Sequence, residues 1–373
     1  MHVGIVSYDY SPPIGGLGIV VGNTAQTLRE MFPENIYSVI SPSPGADEKV
    51  SRLAGYRWKK KGGCPLFSLL LNFRLKKIIN AKKIDVLHVH SGSGGVFLLK
   101  KPACPMVVTA HHSYLQEAET VFFRNPLLKL WKKMMAKLEK RTYILADRII
   151  CVSNDTADTV INRYKQSPEK VSVIENGIPA WRNHISGEKT SNVVFFAGRL
   201  EERKGIWVLL KAFDLVHKIH PSVRLRVAGQ NLIGQPIFRF IKSHDLQSSI
   251  DVMGFLKEPL LQRELRMATM IVIPSLLEGF GLVAAEAMSA GTCVVASDSP
   301  GLRSIIKNEQ SGLLFSSGNS EKCADCINRI LNDLSLRKSL EDQAKIESEK
   351  RFSLRDRTHD VQKIIEKVIT SKG

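Results

Sequence analysis

Short, nearly unbroken apolar runs recur along the whole chain, separated by longer stretches with helical spacing. The first half holds VGIVS (3–7), IYSVI (36–40), IDVLHVH (84–90), MVVTA (106–110), RIICVS (148–153) and VSVIE (171–175). The second holds NVVFFA (192–197), VRLRVAG (223–229), IDVMG (250–254), MIVIPS (270–275), TCVVAS (292–297) and GLLF (312–315). A strand that is apolar at every position must be covered on both faces. With helices between the strands, that predicts parallel sheets in a doubly wound α/β fold. The two sets are joined by NGIPAWRNHISGEKTSN (176–192), which is polar, contains Gly and Pro and has no periodicity. Two similar domains are therefore expected, over 1–178 and 179–353. Residues 354–373 carry helical spacing at Val361, Ile364, Ile365 and Val368, and predict a C-terminal helix able to pack back on the first domain.

The 373 residues are enough for two separate cores, and 43% hydrophobic with 24% charged residues is a globular balance. No apolar run approaches the roughly 18–20 residues of a spanning helix. The opening MHVGIVSYDY reads as a first strand and lacks the pattern of a secretory leader. Cysteines 64, 104, 151, 293, 323 and 326 are scattered through mostly apolar runs. Cys323 and Cys326 form the one close pair, with neither a second pair nor histidines nearby for zinc. Buried free thiols in a reduced, cytoplasmic protein are expected. The net charge is +17, and residues 1–180 carry 25 Lys and Arg against 14 Asp and Glu. Such a field implies anionic partners: nucleic acid, an acidic lipid surface or a phosphorylated substrate.

Three places carry candidate chemistry. After the first strand, YSPPIGGLGIVVGNTAQTL opens a helix, and Gly15, Gly16 and Gly18 would let backbone amides approach an anion. The same glycines also suit a tight turn with no ligand. A dinucleotide fingerprint is absent, because Val21 stands where its third glycine belongs and the second strand runs into Ser41 and Pro42. In the second half, FFAGRLEERKGIWVLLKAF sets Arg199 just after a strand and Lys204 just before a helix. Two cations at the carboxyl edge of a sheet suit a pyrophosphate; each alone also suits a solvated loop. In EGFGLVAAE, Glu278 follows the strand MIVIPS, Gly279 and Gly281 keep the turn slim, and the amides around Phe280, Leu282 and Val283 form a helix N-terminus. Glu286 lies about two turns further on, where a carboxylate can accept from vicinal sugar hydroxyls. Acids at a solvated helix start are the ordinary alternative.

The spacing of Glu278 and Glu286, GRLEERKG (198–205), GGLG (15–18), VVTAHH (107–112) and IENGIP (174–179) follow one another across nearly the whole chain. Together they resemble the retaining glycosyltransferases of GT-B architecture, the large family of bacterial mannosyl- and glucosyltransferases and glycogen and sucrose synthase relatives. The resemblance implies two Rossmann-like domains facing across a cleft, with acceptor bound by the first and donor by the second. It implies donor contacts from Gly15, Gly16, Gly18, Arg199, Lys204, Glu278, Gly279, Phe280, Gly281, Leu282, Val283 and Glu286. Arg199 and Lys204 would hold phosphates, Glu278 the transferred sugar, Glu286 the ribose, and His111 would face the donor sugar. It further implies no metal and no cofactor beyond a UDP-, GDP- or ADP-linked sugar as co-substrate. The chain departs from the family at Glu175-Asn176-Gly177-Ile178-Pro179, at Gly229-Gln230-Asn231 and at Ala268-Thr269.

The expected activity is transfer of a hexose to a sugar or glycolipid hydroxyl in cell-envelope synthesis. A nucleotide-sugar epimerase or a phosphorylase of the same architecture is the alternative enzyme. A polyanion-binding or nucleic-acid-binding protein is the alternative from another class, suggested by charge alone; no specific nucleic-acid motif is present. The segment VFFRNPLLKLWKKMMAKLEKR (121–141) holds seven Lys and Arg against one Glu, with apolar residues at near-helical spacing. With RWKKK (57–61) it predicts a peripheral site on the inner face of an anionic membrane. The same apolar residues would equally suit a helix packed on its own domain.

Overall fold

The computed structural model describes residues 1–49, 63–92, 94–120, 126–180 and 192–371. They form two compact units, Met1–Pro179 with Phe352–Gly373, and Ala180–Arg351. RWKKK (57–61), the first five residues of the basic segment (121–125) and most of the expected linker (181–191) lie outside the described residues.

The first unit runs β1 (His2–Val6), α1 (Gly16–Met31), β2 (Ile36–Ser41), β3 (Glu48–Lys49), α2 (Gly63–Lys82), β4 (Val86–Ser91) and β5 (Met106–Ala110). It continues through α3 (Tyr114–Thr120), α4 (Pro126–Leu145), β6 (Arg148–Cys151), α5 (Asn154–Asp158) and β7 (Val171–Val173). Its seven strands are all parallel, in the order β3-β2-β1-β4-β5-β6-β7. Side chains alternate across the sheet with period two. Leu87, Val89, Met106, Val108 and Ile149 pack with α2 and α4 on one face. Val86, Val107 and Ile150 pack with α1 and the C-terminal residues Val361, Ile365 and Val368 on the other. The central strands β1, β4, β5 and β6 are thus covered on both sides, as their apolar runs demand.

The second unit runs β8 (Val193–Ala197), α6 (Ile206–Ile219), β9 (Arg224–Ala228), α7 (Gln235–Ser243), β10 (Ile250–Gly254), α8 (Glu258–Met267) and β11 (Met270–Ile273). It ends with α9 (Leu282–Ser289), β12 (Cys293–Asp298), α10 (Leu302–Ile305), β13 (Leu313–Ser316), α11 (Ser320–Asn332) and α12 (Leu334–Arg351). The six strands are parallel, in the order β10-β9-β8-β11-β12-β13. Asn319 caps α11 by accepting from the Lys322 amide, and Cys323, Cys326, Ile327 and Ile330 turn its apolar stripe onto the sheet. All six cysteines are buried free thiols.

At Phe352 the chain re-enters the first unit. Ser353 accepts from the Asp356 amide and caps α13 (Leu354–Thr370). Burial of Val361, Ile365 and Val368, each worth about 1.5–3 kcal/mol, seats α13 beside α1 and over β4, β5 and β6.

Candidate active site

In the second unit the turn after β8 ends at Gly205, whose φ of +70° is left-handed. A Cβ there would lie 1.8 Å from the Pro274 carbonyl oxygen, so a glycine alone lets this turn press against the end of β11. That approach brings Lys204 to Glu278: the Nζ donates to Oε1 at 2.5 Å, and Ser275 Oγ donates to the same oxygen at 2.8 Å. Arg203 donates to the Leu277 carbonyl at 2.9 Å, pairs with Glu201 at 3.0 Å and reaches 3.9 Å from Glu278 Oε2. Arg199, half exposed, pairs with Glu201 at 3.2 Å. Three cations face two carboxylates, which leaves one positive charge on the cluster. Burial opposes ionisation of Glu278, but Lys204 and Arg203 outweigh it and hold the carboxyl at about 2. Burial likewise lowers Lys204, and Glu278 works against that shift. Glu278 is therefore ionised at neutral pH.

Gly281, at φ +99°, turns the chain into α9. The amides of Leu282 and Val283, at the start of that helix, have no protein acceptor among the described residues. They follow Glu278, the carboxylate that pairs with Lys204, by about one turn in sequence and offer an anion site of the helix-terminus kind. Phe280 is buried beneath the turn, and Gly279 links it to Glu278. Glu286 is partly buried on α9. Burial, with a smaller push from Glu258, raises its carboxyl to about 7. No hydrogen bond or ion pair holds it among the described residues, so it is free to accept from a ligand.

In the first unit the glycine turn has an acceptor of its own. The Asp9 carboxylate, buried, takes the amides of Ile14 at 2.8 Å, Gly15 at 2.9 Å and Gly18 at 3.1 Å. The anion that Gly15 and Gly18 meet in this structure is thus Asp9, and a Cβ at Gly18 would fall 2.6 Å from it. Of the three glycines, Gly16 keeps an amide with no protein acceptor among the described residues. His111 follows β5, and its Nε2 lies 2.9 Å from Nδ1 of buried His90 on β4. Burial, then the neighbouring His112 and His88, lower the His111 imidazole to about 3, so it is neutral at physiological pH.

The sequence reading passed over Arg203, Ser275, Asp9 and His90. Arg203 adjoins Lys204 in ERKG, and Asp9 precedes the SPP turn; both could have been weighed from their neighbours. Among the described residues no group of three or more His, Cys, Asp or Glu is arranged to hold a metal ion.

Residues 178–347 match the family model described as glycosyl transferases group 1. Residues 14–182 match the model of glycosyltransferase family 4. The chain is 26% identical over 381 residues to an uncharacterized glycosyltransferase of Methanocaldococcus jannaschii, covering 95% of each. Its fold is similar to that of sucrose-phosphate synthase from Thermosynechococcus elongatus, with a TM-score of 0.79 at 17% identity over the whole of both chains. It is also similar to Anabaena HepE in complex with UDP-glucose, with a TM-score of 0.72 at 18% identity over 98% of this chain and all of that one.

Proposed function

The chain belongs to the GT-B glycosyltransferases, and from that premise we propose that it moves a hexose from a nucleotide-diphosphate sugar to an acceptor hydroxyl with retention of anomeric configuration. The observation that carries this reading is the net positive cluster of Arg199, Arg203 and Lys204, held on Glu278, which stands four residues before the open amide of Leu282. As the bond from the anomeric carbon to the diphosphate breaks, negative charge grows on the leaving phosphate oxygen. Fixed cations and amides stabilise that charge without reorganising. Glu278 stays ionised, so it acts as an acceptor for hydroxyls of the transferred sugar and cannot donate a proton as a general acid. Glu286 takes the ribose hydroxyls. His111, neutral, serves the transferred sugar as a hydrogen-bonding group. The acceptor oxygen attacks the face that the leaving group vacates, and its proton passes to the departing phosphate.

Full-length protein incubated with UDP-, GDP- and ADP-sugars tests the reading. Sugar transfer that requires an added acceptor is expected, together with a thermal shift from one of the three nucleoside diphosphates. Epimerisation of the donor alone would overturn it.

The acceptor proposed is a glycolipid or another membrane-held glycan in envelope synthesis, met by a protein peripheral on the cytoplasmic face. No described helix is long and apolar enough to cross a membrane. The support lies on α4, whose outer face exposes Leu127 (72%), Leu130 (64%) and Met134 (51%) beside Lys129, Lys133, Lys137 and Arg141. Its inner face, with Met135, Tyr143 and Glu139, is buried in the core, while the outer face turns its apolar groups mostly to the surface. Such a face suits an acidic interface.

A further inference from the structure

Period two sets His88 and His90 of β4 on one face of the first unit's sheet, with Thr109 and His111 beside them at the end of β5. The rings of His88 and His90 have centroids 4.4 Å apart, and those of His90 and His111 stack at 5.2 Å. His88 Nε2 lies 2.7 Å from Thr109 Oγ1, and His90 Nδ1 lies 2.9 Å from His111 Nε2. Each of the two inner histidines is left with one buried ring nitrogen that no protein group meets: His88 Nδ1 and His90 Nε2. On α13, Arg357 Nε and Thr358 Oγ1 are buried and unmet in the same way. All four residues line one chamber of about 20 Å³ between the sheet and the α1 and α13 layer. That is room for one water, which needs roughly 10–15 Å³ and two to four polar partners.

We propose that this chamber binds a single ordered water, and that through it α13 fixes the tautomer of His111. One arrangement of the hydrogen bonds keeps each neutral imidazole in its intrinsically favoured Nε2–H form, with the Thr358 hydroxyl as acceptor. Arg357 Nε can only donate, so it fills one acceptor site of the water. His90 Nε2–H fills the other, and the water donates to His88 Nδ1 and to Thr358 Oγ1. His90 then presents a bare Nδ1, which must accept from His111 Nε2–H. All three histidines are thereby in the Nε2–H form that a neutral imidazole side chain favours in water. Burial keeps all three neutral: His88 is lowered to about 4, His111 to about 3 and His90 well below its usual value. The bond to His90 uses the Nε2 of His111, so Nδ1 is the ring nitrogen left for a ligand, and it is an acceptor. An acceptor there suits a hydroxyl hydrogen, the chemistry of a sugar. His90 is a positioning residue, and its effect on turnover rests on the role proposed above for His111; the water site does not.

Two-bond proton–nitrogen correlations on full-length protein labelled with ¹⁵N at histidine test this directly, with no substrate present. A single Nε2–H tautomer is expected at His88, His90 and His111. An Nδ1–H form or an averaged mixture at His111 overturns the proposal. Thr358→Val keeps the side-chain shape and removes one acceptor from the water, so the His90 Nε2 resonance is expected to move; an unmoved resonance counts against the site. His90→Phe keeps a ring but no acceptor, and should release His111 into a tautomer mixture. It should also lower kcat by about tenfold with donor KM changed less than about threefold. His90→Asn, whose amide oxygen can take the place of Nδ1, should restore most of both. If His90→Phe releases the tautomer while turnover stays parental, the water site stands and the assigned role of His111 in transfer falls.

Discussion

Lys204 and Glu278 are 74 residues apart in the chain, yet the ammonium lies 2.5 Å from a carboxylate oxygen and each charge is largely sealed from water. Each desolvated charge is tolerable because the other is there. The pair is therefore both a structural clasp between the β8–α6 turn and the end of β11, and the centre of the proposed donor site.

Loss of Lys204 leaves the Glu278 carboxylate with Ser275 and a distant Arg203. Lys204→Ala should cost about 3–5 kcal/mol of stability, the range for a buried pair deprived of one partner. Nucleoside-diphosphate affinity should fall by about 1.5–3 kcal/mol in Lys204→Ala and in Arg203→Ala. Calorimetry with the diphosphate that binds the parent checks this. Parental affinity in both variants would remove the phosphate clamp.

Glu286 makes nucleotide binding pH-dependent. Ribose hydroxyls donate to the ionised carboxylate, but burial raises this group from 4.5 to about 7. Its folded value lies above its unfolded one, so its contribution to apo stability is present below about 4.5 and lost as pH rises through about 7. Binding favours the ionised form, so affinity should weaken below about pH 7 and binding should release a proton near that pH. Titrations in buffers of different ionisation enthalpy read the proton directly. Glu286→Gln should bind more weakly and release none.

The architecture was open to a reader of the sequence because both sheets are parallel. MVVTA coincides with β5 residue for residue, since a strand covered on both faces is buried throughout, and IDVMG coincides with the edge strand β10, whose apolar residues still mark it out although Asp251 is partly exposed. The edge strand β3 gave no such signal: Glu48 and Lys49 are polar, and two residues have no period. Lys204 and Glu278 were each recognisable by position, but their contact depends on the left-handed Gly205, which spacing does not report. His90 reads as one more residue of a buried strand, and its bond to His111 follows from the register of β4 with β5. The hold of Asp9 on the glycine turn follows from the folding of that turn, which leaves Gly15 and Gly18 facing inward.

Asp9→Asn tests that hold. One side-chain oxygen replaces two, and an NH₂ group is turned toward backbone donors, so at least one of the Ile14, Gly15 and Gly18 amides loses its acceptor. A buried amide left unpaired costs about 1–3 kcal/mol. Urea denaturation should show a loss of that size. A loss under about 0.5 kcal/mol would mean that the amides find other partners.

Glu139 on α4 is buried, and its carboxyl takes the Tyr114 amide at 3.0 Å and the hydroxyls of Tyr143, at 3.2 Å, and Tyr164. Burial outweighs these donors and raises the group from 4.5 to about 8. The folded value is the higher one, so this contribution is complete below about 4.5 and is lost as pH rises through about 8. The loss amounts to about 3–5 kcal/mol. Glu139→Gln, neutral at every pH, should flatten that decline. Melting curves from pH 5 to pH 9 with the same slope in parent and variant would show that Glu139 ionises without cost.

The outer face of α4 separates membrane docking from core packing. Leu127→Ser, Leu130→Ser and Met134→Ser change groups that are mostly exposed, so each should alter stability by less than about 0.5 kcal/mol. Their inner neighbours Met135 and Tyr143 stay in the core. If the face inserts into an interface, the triple variant should lose most recovery with acidic vesicles at physiological salt. Each exposed cation among Lys129, Lys133, Lys137 and Arg141 adds about 1 kcal/mol of attraction to an anionic surface, so raising the salt should also release the parent. Equal recovery with neutral and acidic vesicles would remove the electrostatic part of the claim. Failure of the parent to sediment with either would show that α4 meets no membrane, and its exposed leucines would then need a protein or glycan partner.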